Sequence, residues 1–214
     1  MITFIGDVHG KFDEYKKIVD QSEYSIQVGD FGFSKAWRSL AESSIDPKRH
    51  VVLGGNHDDY DYIIDKTPPH YLGSYGTITL NNIDISYIRG ASSIDRDQRT
   101  IGVDWWEQEQ IPYDGMGDVI KWWVNLEKKP EVVVTHDCPR RVKEIMIPHS
   151  IKSSRTNHLL EILLDHHSPK LWIFGHYHKT CMFEYAKTKF ICLDELDLVG
   201  LNKIGGILTT IFTV

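Results

Sequence analysis

Five short apolar runs in this chain each stop at a loop that carries a side chain able to bind a metal ion. In order, the runs and their loops are residues 2–5 before 6–10, 26–28 before 29–30, 51–53 before 54–58, 132–134 before 135–137, and 171–174 before 175–178. An apolar run that ends in glycine, aspartate or histidine is typical of a strand that stops at a tight turn. A single polar strand end proves little, but five of the same kind predict a site.

Helical patterns follow several of these loops. Phe12, Tyr15 and Val19 recur at the spacing of one helix face, and residues 34–40 and 59–64 predict two further short helices. Strands that alternate with helices are typical of a parallel sheet with right-handed crossovers. Ligands bind to such sheets beyond the carboxyl ends of the strands, which is where all five loops would lie.

The rest of the chain is less regular. We predict a β-hairpin, two helices and three strands, in that order, over residues 77–88, 119–126, 153–164, 181–185, 189–193 and 207–212. Ser153 or Ser154 would cap the second helix. Residues 89–113 are polar and aromatic and show no clear periodicity. Since no repeat or linker interrupts the pattern, we expect one domain over residues 1–214.

Composition limits the class of protein. The 41% hydrophobic content is enough for a packed interior, and the formal net charge of −6 argues against a protein that coats nucleic acid or anionic membrane. No apolar run is long enough for a membrane span, and Met1 leads directly into the first predicted strand without a signal peptide. The three cysteines lack metal-type spacing and suit a reducing compartment, so we expect a cytoplasmic protein.

The loops together offer carboxylate, amide and imidazole donors. The candidates are Asp7, His9, Asp30, Asn56, His136, His176 and His178. This mixture suits manganese, iron, zinc or nickel better than calcium, which prefers oxygen alone. Seven donors are too many for one tetrahedral ion but fit two ions that share a carboxylate. Two such ions, about 3.5–4 Å apart, polarise a phosphoryl oxygen and generate hydroxide at neutral pH. A structural zinc site is the alternative, although it prefers a cysteine-rich set.

The order Asp-x-His, Gly-Asp, Gly-Asn-His-Asp, Thr-His and Gly-His-x-His, over residues 6–178, resembles the calcineurin-like metallophosphoesterase superfamily. The resemblance implies a mixed α/β fold, a sandwich of two mixed sheets flanked by helices, with a dinuclear metal site at one sheet edge. It implies one ion on Asp7, His9 and His178, a second on Asn56, His136 and His176, and Asp30 as the bridge.

The same resemblance assigns the catalytic residues. It implies that His57 donates a proton to the leaving oxygen, or stabilises its charge, and that Asp58 orients the His57 imidazole. A histidine suits this role because it titrates near neutral pH.

The substrate is less constrained. Protein phosphatases of this superfamily carry Gly-Asp-x-x-Asp-Arg-Gly at the second motif, whereas residues 29–33 read Gly-Asp-Phe-Gly-Phe. Four arginines could contact phosphate through bidentate geometry, or could lie on a solvated face: Arg96, Arg99, Arg140 and Arg141. The tryptophan pairs 105–106 and 122–123 could stack on a nucleobase but more often form packing contacts. Among the other histidines, His149 and His158 lie between two ligand loops and are the best placed to touch substrate.

We therefore expect a phosphoester hydrolase that uses two divalent ions, manganese first, on a small phosphoester or nucleotide. Neither monoesters nor diesters are favoured. One alternative is a nuclease or cyclic-nucleotide phosphodiesterase on the same site, although the net charge gives a nuclease no support. The other is a binding scaffold that has lost catalysis, which would be expected to lack ligands or the catalytic histidine. The sequence leaves the oligomeric state open.

Overall fold

Two mixed β-sheets face each other in the structure, a computed structural model that describes residues 1–148, 152–204 and 207–213. In chain order the elements are β1 (Ile2–Ile5), α1 (Phe12–Asp20), β2 (Tyr24–Gln27), α2 (Ser34–Glu42), β3 (His50–Val52), α3 (Tyr60–Lys66), β4 (Tyr75–Leu80), β5 (Ile83–Ile88), α4 (Tyr113–Val124), β6 (Val132–Thr135), α5 (Arg140–Met146), α6 (Arg155–His166), β7 (Leu171–Phe174), β8 (Cys181–Tyr185), β9 (Thr188–Cys192), β10 (Leu198–Ile204) and β11 (Ile207–Thr213). Two short 3₁₀ helices, Arg96–Gln98 and Glu107–Glu109, lie between β5 and α4.

The strand orders are β11-β10-β1-β2-β3 in the first sheet and β4-β5-β6-β7-β9-β8 in the second. Strands β1 to β3 are parallel, as are β5, β6, β7 and β9, and antiparallel strands complete both sheets. The two mixed sheets implied by the family resemblance are confirmed. The single parallel sheet inferred from strand–helix alternation is wrong, because the five motif strands are divided between the two sheets.

Side-chain alternation along the strands builds four layers. Ile2 and Phe4 point into the core between the sheets, whereas Ile5 faces the helix layer that contains Trp37 of α2. A second helix layer, formed by α4, α5 and α6, covers the opposite sheet with Trp123 at its centre. Each sheet is therefore covered on one face by the other sheet and on its other face by helices. The loops at the strand ends remain available to form a site.

Helix starts follow local signals. Ser154 caps α6, since its hydroxyl accepts from Asn157 N–H at 3.0 Å while the Asn157 side chain accepts from Ser154 N–H at 2.8 Å. This choice settles the prediction of Ser153 or Ser154. Helix α4 begins at Tyr113, six residues earlier than predicted. None of the helices in the described part of the chain has the length and hydropathy needed to cross a membrane.

Candidate metal centre

The loops that follow β1, β2, β3, β6 and β7 meet at one end of the sandwich, at the carboxyl ends of the parallel strands. His9 N–H donates to the Asp30 carbonyl at 2.8 Å, which joins the first two loops. His176 N–H donates to Asp7 Oδ2 at 3.1 Å, which joins the loops of the two sheets. Side chains that are far apart in sequence are thereby brought within contact distance.

The first group of donors contains Asp7, His9 and His178. The His9 and His178 Nε2 atoms lie 3.8 and 3.9 Å from Asp7 Oδ2 and 3.3 Å from each other. Three donor atoms from three separate positions thus converge on one point. This is the set expected for one of the two ions.

The second group contains Asp30, His136 and His176. His136 Nε2 lies 3.2 Å from Asp30 Oδ1 and 3.1 Å from Asn56 Oδ1. His136 Nδ1 lies 3.1 Å from the carbonyl oxygen of Val28. A carbonyl can only accept, so Nδ1 carries a hydrogen, and the neutral ring keeps its lone pair on Nε2, towards Asp30 and Asn56.

Asp30 reaches both groups through its two oxygens. Oδ1 faces His136, and Oδ2 lies 3.9 Å from His9 Nε2 in the first group. The backbone N–H of His57 donates to Oδ1 at 2.7 Å and holds the carboxylate in this orientation. A carboxylate shared by two ions needs this placement.

The charges of the cluster favour divalent cations. Asp7 and Asp30 are fully buried. Burial opposes ionisation of Asp30, but the imidazoles of His136, His57 and His9 outweigh it and hold the pKa of Asp30 well below its usual range. Burial also acts to lower the pKa of His136, and the Asp30 charge outweighs it and raises that pKa to about 10. Positive charge at this position is therefore strongly stabilised, and the donors fit divalent ions that replace the proton.

The backbone around the donors is strained. His9, Asp30, His176 and His178 have φ values of 48°, 56°, 72° and 45°, in the left-handed region that L residues rarely adopt. Two glycines of the motifs allow close approach. A Cβ at Gly55 would lie 2.2 Å from Asp30 Oδ1, and one at Gly175 would lie 2.2 Å from Asp7 Oδ1. These glycines are needed because the carboxylates occupy the space of a side chain.

His57 lies at the edge of the cluster. Its half-buried ring is 5.0 Å from the His9 ring between centroids. Arg99 Nη1 and Nη2 lie 3.2 and 2.9 Å from His57 Nδ1 and Nε2. Burial and the charge of Arg99, opposed by Asp30, lower the pKa of His57 to about 4. His57 is thus next to both donor groups without belonging to either.

Asp58 does not have the expected position. Its Oδ1 accepts from Gly32 N–H at 2.9 Å and from the Trp37 indole at 3.0 Å. Its Oδ2 accepts from Asp30 N–H at 3.1 Å and from Gly55 N–H at 2.6 Å. These donors occupy the acceptor positions of the carboxylate. Asp58 therefore joins the loops after β2 and β3, and Arg99 is the residue whose side chain lies within hydrogen-bond distance of the His57 ring nitrogens.

The four candidate arginines separate into two kinds. Arg99 contacts His57, whereas Arg96 is exposed beside Asp97. Arg140 and Arg141 of α5 pair with acidic residues elsewhere: Glu144, Glu161 and Asp165. The structure thus brings one of the four to the centre.

Three further candidates for substrate contact, His158, Trp106 and Trp123, are not among the residues brought together in the donor groups. His158 is exposed on α6, and His149 lies outside the described residues. Trp106 and Trp123 are buried and donate to Asp61 and to the Leu163 carbonyl, as packing residues do.

Ser93 and Glu109 were missed by sequence reasoning. Asn56 Nδ2 donates to Ser93 Oγ at 3.1 Å, and Ser93 Oγ donates to the buried Glu109 carboxylate at 2.6 Å. This series of hydrogen bonds fixes the Asn56 amide with its oxygen towards His136. Both residues lie in the irregular segment 89–113, where no local pattern marks them.

A family model described as calcineurin-like phosphoesterase matches residues 1–180. No curated protein sequence gives a significant match. Three solved structures are similar in fold: a putative 5'-nucleotidase from Staphylococcus aureus in complex with alpha-ketoglutarate, with a TM-score of 0.58, 14% identity and coverage of 99% of this chain and 53% of that one; a phosphopantetheinyl hydrolase from Mycobacterium tuberculosis, with a TM-score of 0.55, 15% identity and coverage of 91% and 89%; and a hypothetical protein from Thermus thermophilus, with a TM-score of 0.53, 13% identity and coverage of 98% and 97%. This chain spans about half the length of the nucleotidase. At these identities the likeness concerns the fold alone.

Proposed function

Since the chain belongs to the calcineurin-like phosphoesterase family, we propose that it hydrolyses a small phosphoester or nucleotide with two divalent metal ions. The observation that carries the proposal is that Asp30, a member of the second donor group, directs its other carboxylate oxygen towards the first group. A single closed metal site would not place the two oxygens of one buried carboxylate towards separate groups of donors. This arrangement is what a dinuclear hydrolase requires.

The residues that would hold the ions follow from the two groups. Asp7, His9 and His178 would bind one ion, and Asn56, His136 and His176 the other, with Asp30 shared. When bound, the ions supply Lewis acidity towards the phosphoryl group and lower the pKa of water. Oxygen and imidazole donors of this kind suit manganese first, and also iron, zinc or nickel.

His57 is the residue we assign to the leaving oxygen, either as proton donor or through its partial charge. Its ring lies beside His9 and outside both donor groups, so we do not assign it to either ion. General acid catalysis of this kind contributes about 10²–10⁴-fold. Asp58 supports the reaction indirectly, since it holds the backbone of Asp30 and Gly55 in place.

The test is hydrolysis of para-nitrophenyl phosphate and bis-para-nitrophenyl phosphate by metal-stripped protein, with and without added Mn²⁺. We expect turnover that depends on Mn²⁺, and none by an Asp30→Asn variant purified in the same way, which controls for contaminating phosphatase. Absence of turnover with both ions bound, on these esters and on a panel of nucleotides, would contradict the proposal and favour a binding scaffold. The scaffold is disfavoured because every expected ligand position and His57 are filled.

The proposed partner is a small phosphoester or nucleotide, and nucleic acid is not favoured. The net charge of −6 gives no support to binding along a nucleic acid, so nuclease and cyclic-nucleotide phosphodiesterase activities are further arms of the substrate panel. We also propose a cytoplasmic location, supported by three cysteines that the structure holds as free thiols.

A further inference from the structure

We infer that Arg99 holds the phosphoryl group of the substrate and makes this enzyme prefer phosphomonoesters to phosphodiesters. The inference rests on the proposed function, because it concerns the substrate of the same site. It is carried by the position of the Arg99 guanidinium, which is fixed from one side and incompletely bonded on the other. Nothing in the five ligand motifs assigns this residue.

The guanidinium is anchored on the side away from the donor groups. Arg99 Nε lies 2.8 Å from Asp95 Oδ1 in an ion pair, and the Asp104 carbonyl accepts from Nη1 at 3.2 Å. The Arg99 side chain is only 10% exposed. Little conformational freedom therefore remains to be lost when a substrate binds.

The segment that carries Arg99 is itself attached to the body of the protein. Gly90 N–H donates at 2.8 Å to the carbonyl of Gly54, the first residue of the third ligand loop. Further along, the Trp106 indole donates to Asp61 of α3 at 3.0 Å. The segment is thus attached to the loop that contains His57 and to helix α3, which follows that loop. These two attachments keep Arg99 beside the donor groups.

The free edge of the guanidinium faces His57 and lacks a full set of acceptors. Nη1 and Nη2 lie 3.2 and 2.9 Å from the two ring nitrogens of His57. A neutral imidazole has one acceptor nitrogen, so only one of these contacts is a hydrogen bond. The other N–H faces a second donor. A phosphoryl oxygen would supply the missing acceptor, since guanidinium and phosphate form charge-assisted hydrogen bonds.

Other cations do not compete for this role. Lys11, close to the first ligand loop, pairs with Glu195, and Lys179 donates to the Met146 carbonyl. Throughout residues 1–148, 152–204 and 207–213, Arg99 is the one arginine or lysine hydrogen-bonded to His57 or to a side chain of the donor groups.

Ester chemistry makes this contact selective. A phosphomonoester has three terminal oxygens and a charge of about −2 near neutral pH, whereas a diester has two terminal oxygens and a single charge. If two oxygens face the two donor groups, a monoester retains a third for Arg99. In a diester that position carries the second organic group. The full charge of Arg99 also attracts the dianion more strongly.

The test compares Mn²⁺-loaded wild type with Arg99→Ala and Arg99→Lys, and uses Arg96→Ala as the matched control. Arg96 lies three residues earlier, is 58% exposed and pairs with Asp97, so its loss removes the same charge from the surface. For para-nitrophenyl phosphate, we expect kcat/KM to fall about 10- to 100-fold in Arg99→Ala and less in Arg99→Lys. For the bis ester, kcat/KM should change less than about threefold.

A binding measurement gives a second readout that needs no turnover. Calorimetric titration of the Mn²⁺-loaded proteins with inorganic phosphate should show an affinity about tenfold weaker in Arg99→Ala, and unchanged in Arg96→Ala. Thermal melts verify that each variant is folded.

The possible results separate the inference from the proposed function. A wild type that prefers the diester, an unchanged monoester-to-diester ratio in Arg99→Ala, or an equal loss in Arg96→Ala would overturn the inference while the proposed function stands. A wild type that hydrolyses neither ester nor any nucleotide, with both ions bound, would overturn the proposed function itself. A selective loss for the monoester, together with weaker phosphate binding, would support both.

Discussion

Replacement of Asp58 by asparagine tests whether this buried carboxylate supports the site or takes part in catalysis. In the structure it accepts hydrogen bonds from the N–H groups of Asp30, Gly32 and Gly55 and from the Trp37 indole. Asparagine keeps one oxygen and places an NH₂ group where the other was. Two of the four donors would then face another donor.

The size of the effect follows from those bonds. A buried donor without an acceptor costs about 1–3 kcal/mol, so two of them cost about 2–6 kcal/mol. One effect acts in the opposite direction. Burial and the nearby Asp30 charge raise the pKa of Asp58 to about 6, which means that the Asp58 charge is itself unfavourable there. A neutral amide removes that charge and its repulsion with Asp30. We therefore expect a net loss of about 2–4 kcal/mol in the free energy of unfolding. At about 2–4 °C per kcal/mol, the melting temperature should fall by about 4–16 °C.

Urea unfolding measures this loss, with and without Mn²⁺, and hydrolysis of the para-nitrophenyl esters measures kcat on the same samples. Asp97→Asn is the control, since it makes the same chemical change on a side chain that is 93% exposed, and its effect should stay within about 0.5 kcal/mol. An Asp58→Asn protein with the wild-type urea midpoint and a kcat reduced more than about 100-fold would refute the supporting role and restore a catalytic one.

Three further predictions concern the ions and His57. Asp30→Asn should abolish hydrolysis and weaken the binding of both ions, because this carboxylate faces both donor groups; metal analysis that shows the loss of one ion alone would contradict the bridge. His57→Ala should keep both ions and lower kcat by about 10²–10⁴-fold, whereas an ion missing from the purified variant would make His57 a ligand instead. Chelation should lower the urea midpoint, because each ion present at about 100 times its dissociation constant adds about 2.7 kcal/mol to the stability of the folded state, and an equal midpoint with and without ions would argue against specific binding.

The strand ends that carry the ligands could be predicted because their signals are local. The apolar run of β1 ends at Gly6, and the face of α1 repeats at helical spacing, so both elements were located to within a residue or two. The loops between them were recognisable from glycine and from side chains with donor atoms. The convergence of the loops was predictable because a metal site needs several donors at the same place.

Other features depend on contacts between distant parts of the chain. Strand β10 contains Gly200, Asn202 and Lys203, which interrupt its apolar pattern, and it forms because β1 and β11 supply partners on both sides. The segment that carries Ser93 and Arg99 has no periodicity, since side-chain bonds to Asn56 and His57 hold it in place. The role that the resemblance implied for Asp58 was wrong for the same reason, because its carboxylate is oriented by donors from other loops and from α2, which the motif does not contain.

The strained backbone explains why the site and the fold stabilise each other. A left-handed conformation costs an L residue about 1–2 kcal/mol, so His9, Asp30, His176 and His178 together store about 4–8 kcal/mol. That is comparable with the whole stability of a typical domain, about 5–15 kcal/mol. The bonds that oppose this strain act on the strained residues themselves, since Asp58 accepts from Asp30 N–H and Asp7 accepts from His176 N–H. These same bonds aim the ligand atoms, so a substitution that breaks one of them should lower stability and metal affinity together.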